Sequence, residues 1–119
     1  MQIKNEKLKK AILSALADEE MLKIINISKE SLTSGNEIIK KLDMSHSTAY
    51  RKIKWMLDNE LLIVEKMEFT PDGKKFSLFR STIVSANIRY EGKSIMVEAE
   101  KNANVFENTT KRFFSLENI

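Results

Sequence analysis

Apolar positions between Ser34 and Leu62 recur with a helical period, twice, across a short polar break. Ile38, Ile39 and Leu42 fall at i, i+1 and i+4, one face of a 3.6-residue repeat. Ser34 stands three residues before Glu37, the spacing at which each side chain satisfies a free amide at a helix start, so a helix is expected to open near Gly35. Asp43 falls at the break, and Asp visits the left-handed region at modest cost. Ser45 restarts a helix as its N-cap, with Met44 and Ala49 placed to close on each other as a hydrophobic staple. The second helix turns Ala49, Ile53, Met56 and Leu57 inward. His46, Ser47, Thr48, Tyr50, Arg51 and Lys54 then face outward.

The flanking pattern predicts further elements. Residues 1–17 read as a helix whose basic start (Lys4, Lys7, Lys9, Lys10) is either solvated or meets phosphate. Asp18, Glu19 and Glu20 open a second helix ending near Ser28, and acids at that end are stabilised by the helix dipole. Residues 31–34 are expected to be linker. After Leu61 the period changes to two: Ile63, Glu65, Met67 and Phe69 alternate with Val64, Lys66 and Glu68. Thr70-Pro71-Asp72-Gly73 then turns the chain into a second alternating run ending at Arg80, which gives a hairpin. Another hairpin follows, with Val84, Ala86, Ile88 and Tyr90 on one strand face, a turn at Glu91-Gly92, and Ile95, Val97 and Ala99 on the return. Asn104 to Leu116 reads as a terminal helix whose narrow stripe (Phe106, Thr109, Phe113, Leu116) suits docking either on its own domain or on a second copy.

Composition narrows the chemistry. The 119 residues contain no cysteine and one histidine, so disulfides, thiolate metal sites, thiol catalysis and imidazole clusters fall away. Only three glycines are present and none builds a phosphate loop; the serines lack a histidine oriented by an acid, so no enzyme is expected. No cofactor is expected either. A net charge of +3 is compatible with a nucleic-acid partner. No apolar run approaches the roughly 20 residues of a membrane span, and the start MQIKNEKLKK lacks an apolar signal core. A cytoplasmic location is the expectation.

The hydrophobic pair Ile38 and Ile39, the turn at Asp43 and Met44, the helix start Ser45, Ser47 and Thr48, and the leucine-rich exit Leu57, Leu61 and Leu62 resemble one known pattern. It is the helix-turn-helix of winged-helix transcription regulators of the arsenical-resistance-repressor and multiple-antibiotic-resistance-repressor type. The resemblance covers roughly residues 11–81. The sequence departs from that pattern at Ile39, where a small residue is usual, and at Glu60, where a glycine commonly ends the recognition helix. Metal-sensing members carry thiolate ligands that have no counterpart here.

The resemblance implies an α+β winged helix-turn-helix over residues 1–81, extended by a β-hairpin and terminal helix over residues 82–119 that serve packing or dimerisation. It also implies a homodimeric, sequence-specific DNA-binding transcription regulator. Its recognition helix, about residues 46–59, enters the major groove, and a wing, about residues 63–81, lies on the backbone or minor groove. Ser47, Thr48, Tyr50 and Arg51 are the candidate readers, Arg51 for guanine; Ser45, Lys54, Lys74, Lys75 and Arg80 are the candidate anchors. His46 contacts a base or phosphate, titrates, or does neither. Trp55 packs beneath the wing or at a subunit contact, or else stacks on a base. The alternative is a winged-helix protein-interaction module whose cations are incidental.

Overall fold

The computed structural model describes residues 1–103 and 105. Its elements run α1 (Glu6–Leu16), α2 (Glu19–Ser28), β1 (Thr33–Ser34), α3 (Gly35–Leu42), α4 (His46–Asp58), β2 (Leu62–Phe69), β3 (Lys75–Ser81), β4 (Ile83–Glu91) and β5 (Ser94–Lys101). Both sheets are antiparallel, one ordered β1-β3-β2 and the other formed by β4 and β5, so the architecture is α+β with the extra hairpin. The expected terminal helix, Asn104 to Leu116, lies outside the described residues apart from Val105.

Local chemistry explains where each helix begins. The Asn5 side chain accepts from the Leu8 amide at 3.2 Å and Asp18 from that of Met21 at 3.0 Å, each satisfying a donor that has no partner inside the helix. Ser34 and Glu37 close the reciprocal capping box, at 3.2 and 3.3 Å. Helix α2 ends at Ser28, whose buried hydroxyl donates to the Ile24 carbonyl at 2.6 Å.

Three expectations are corrected. Residues 1–5 are not helical: Ile3 is buried, its amide donates to the Val97 carbonyl at 2.7 Å, and the Ala99 amide donates to the Met1 carbonyl at 2.9 Å. The N-terminal segment thus lines the outer edge of β5, and the helix waits for its Asn5 cap. The expected linker is a strand at its end, where Thr33 and Ser34 pair with Phe79 and Leu78. The alternation of β2 is interrupted by a bulge between Val64 and Lys66. The extra residue, Glu65, shifts the pattern, so Leu62, Val64, Met67 and Phe69 share the face of Ser81, Phe79, Ser77 and Lys75.

One buried cluster joins these elements. Ile12, Ile24, Ile38, Ala49, Ile53, Met56, Leu61 and Leu62 are all but inaccessible, and Ile83, Val97 and Ala99 at the base of the second hairpin belong to the same core. Asn102 locks that base down: its side-chain amide donates to the carbonyls of Lys29 at 2.8 Å and Ser81 at 3.0 Å.

Candidate nucleic-acid interface

The turn that aims α4 is held by backbone geometry. Asp43 adopts φ 50° and ψ 50°, and the Met44 amide reaches back to the Ile39 carbonyl at 3.1 Å, so the chain reverses within two residues of the end of α3. Ser45 then caps α4 by accepting from the Thr48 amide at 3.3 Å. With Ala49, Ile53 and Met56 buried, the helix has a single possible rotation. That rotation leaves Ser45, His46, Ser47, Tyr50, Arg51 and Lys54 exposed, with Thr48 half-buried at the flank.

Each side chain on this face has its own setting. Arg51 forms no ion pair among the described residues, so its five donors are available to a partner. Lys54 pairs with Asp58 one turn on, at 3.1 Å, with both side chains well solvated, an interaction worth little and readily exchanged. The His46 and Tyr50 rings lie 5.0 Å apart, tilted by 31°. Tyr50 folds back over α3, where a Cβ added to Gly35 would sit 2.7 Å from its hydroxyl. Beneath it lies an open cleft of about 230 Å³ between α3, α4 and β3, lined by Ser34, Gly35, Tyr50, Lys75, Ser77 and Phe79.

The β2–β3 hairpin stands beside this face. Its turn is closed by the Thr70 amide donating to the Lys74 carbonyl at 2.8 Å, with Gly73 at φ 86°, and it holds Lys74 and Lys75 in solvent. Arg80, expected as an anchor, has a partner within the hairpin. Its Nη2 and Nε meet Glu65 Oε2 at 3.1 and 3.2 Å, and the two side chains are only 12% and 16% exposed. Glu65 lies two residues along β2 from Ile63, the cross-strand partner of Arg80, so this charge is matched within the hairpin. Ser45, His46, Ser47, Thr48, Tyr50, Arg51 and Lys54 are brought together on α4, and Lys74 and Lys75 at the hairpin tip beside them.

Two features escape the sequence reading. Lys52 leaves the flank of α4 to meet Asp18 at 2.6 Å and Glu20 at 3.1 Å, fixing the helix to the start of α2. The hydrogen bond from Lys52 holds the Asp18 carboxyl below its usual range, and the same bond raises the Lys52 ammonium above its own. The second is Phe69, 67% exposed beside Lys75. Trp55, by contrast, is half-buried and packs against the core. Among the described residues no group of three or more acids or histidines is placed to hold a metal ion, and no helix is long and apolar enough to cross a membrane.

A capped two-helix turn, a solvent-facing second helix with cations, and an antiparallel hairpin directly after it make this a winged helix-turn-helix fold. No protein-family model matches the chain, and no curated protein matches it. Among solved structures it is similar to HlyU from Vibrio cholerae N16961, with 17% identity over 95% of each chain and a TM-score of 0.46. It is likewise similar to the reduced form of that protein, with 17% identity over 95% of this chain and 92% of the other and a TM-score of 0.45.

Proposed function

We propose that the protein is a homodimeric, sequence-specific DNA-binding transcription regulator of the cytoplasm. The observation that carries this reading is the exposed face of α4. Thirteen residues of helix, about 20 Å long, bury one apolar stripe and offer hydroxyls at the tip with Arg51 and Lys54 behind them. A major groove about 12 Å wide admits such a helix, and residues of its first turns reach base edges.

Ser47, Thr48, Tyr50 and Arg51 read the bases in this arrangement, with Arg51 forming a bidentate contact to guanine. Ser45, His46 and Lys54 meet the flanking backbone, and Lys74 and Lys75 follow the phosphates from the wing. Arg80 acts through Glu65 to stiffen the wing. Two copies would address half-sites about 10 bp apart or a multiple of that.

Fluorescence-anisotropy titration tests the reading, with DNA from upstream of the protein's own gene and a scrambled duplex, at about 50 and 200 mM salt. Tight, salt-sensitive binding that prefers the upstream duplex, with the preference lost in Arg51→Ala, is expected. Absence of binding to either duplex at low salt would reject it in favour of a protein-interaction module.

A further inference from the structure

Among the described residues, the β4–β5 hairpin carries an unpaired edge and an uncovered apolar face at the same place. Ile88 is 44% exposed, Tyr90 73% and Ile95 40%. They share one face, because Ile88 stands opposite Val97 and Tyr90 opposite Ile95. The N-terminal segment bonds to Val97 and Ala99 along the far edge of β5, so the backbone groups of those two residues point away from β4. Their cross-strand partners, Ile88 and Ala86, are therefore non-hydrogen-bonded pairs, with N–H and C=O directed out of the open side of β4. Tyr90 follows by the two-residue period. Among the described residues nothing pairs with that side.

We infer that this edge is where a second copy of the chain docks, β4 against β4 and antiparallel across a two-fold axis, to make one continuous sheet. Self-pairing is favoured by what the strand offers. Centred on Asn87, the register joins outward-pointing Ala86 of each copy to outward-pointing Ile88 of the other. It sets Arg89 opposite Ser85, with no like charges facing. Residues 83–101 contain three acids and three bases, so the hairpin neither repels its own copy nor attracts phosphate. The outer strand of the wing is differently made. β2 is bulged at its centre and lined by Glu65, Lys66 and Glu68, features that discourage edge pairing, whereas β4 is regular from Ser85 to Glu91.

This inference rests on the dimeric part of the reading above and its test contains no DNA, so failure here leaves DNA binding standing. The full chain is examined by sedimentation equilibrium from about 1 to 100 μM, with amide exchange followed by NMR. A dimer is expected, with the Ala86, Ile88 and Tyr90 amides protected more strongly as concentration rises. Ile88→Pro removes an outward donor without touching the β4–β5 ladder, and Ile88→Lys places a charge on the joined face. Each should weaken association by about tenfold or more with an unchanged circular-dichroism spectrum. A monomer throughout the range overturns the inference; if its β4 amides are protected, the occupant is the chain's own C-terminal segment. A dimer that keeps its affinity in both variants, or whose β4 amides exchange freely, overturns it as well. The wild-type exchange pattern decides the matter alone should either variant fail to fold.

Discussion

The two hairpins are built alike and finished differently. Each is an antiparallel pair closed by a glycine at positive φ, Gly73 in one and Gly92 in the other, and each plants its base in the common core. Their tips diverge: Lys74 and Lys75 on the first, Ile88, Tyr90 and Ile95 on the second. The first also gains a third strand, β1, at the foot of α3, which ties it to the helices beside the exposed α4 face. The second is tied by Asn102 and by the N-terminal segment, both remote from that face. One supersecondary unit therefore serves two surfaces, and tip chemistry with the choice of anchor decides which.

The comparison breaks first at the bases, where the effects are largest. Phe79→Ala beneath the wing should cost about 3–5 kcal/mol and Val97→Ala beneath the second hairpin about 2 kcal/mol. Urea unfolding would measure both, and a reversed order would show the second hairpin to be the more deeply rooted. Next comes the pair that stiffens the wing. Arg80→Ala should destabilise by about 1.5–3 kcal/mol by removing the charge-assisted hydrogen bonds it makes to Glu65, while leaving the salt dependence of DNA binding unchanged. Lys75→Ala should do the opposite, shifting stability by less than about 0.5 kcal/mol and lowering the salt slope by about 1.

A third test probes the helical body that both hairpins share. Because the Asp18 carboxyl has a folded pKa below its unfolded value, the stability it contributes is complete above the ordinary carboxylate range. It is lost as pH falls through the lowered folded value. Urea midpoints between about pH 2.5 and 6 should fall less steeply for Asp18→Asn than for the wild type. If the two curves are parallel, the Lys52 contact does not anchor α4. A small effect of the opposite sign is expected where the wing begins. Glu60 holds φ 62° with its carbonyl accepting from the Thr82 hydroxyl at 2.8 Å. Glu60→Gly removes the left-handed penalty and should raise the urea-derived stability by about 0.5–1 kcal/mol after the added chain entropy is subtracted.

That last residue shows what a sequence exposes and what it hides. The departure at Glu60 was visible as a missing glycine, and the backbone there is left-handed all the same, held by Thr82 from 22 residues away. The caps at Ser34 and Ser45, the turn at Asp43 and both hairpin turns were legible because each is decided by residues at most four apart. The pairing of Thr33 with Phe79, the N-terminal segment beside β5, and the attachment of Lys52 to Asp18 were not. Those contacts join distant stretches, and short-range periodicity carries no record of them. The bulge at Glu65 lies between. A single extra residue inside an alternating run leaves the run looking alternating, yet it carries Lys66, Met67, Glu68 and Phe69 to the faces opposite those that strict alternation gives them.

Gly35 extends control of the exposed α4 face beyond the helix that bears that face. The Tyr50 ring rests where any side chain at residue 35 would stand, so even an alanine there must displace the ring from its place over α3. On the proposed DNA-binding role, preference for one sequence over another is then set in part from a position outside the proposed contact residues. On that role, a substitution at residue 35 is a route to a new target that leaves every proposed contact residue as it was.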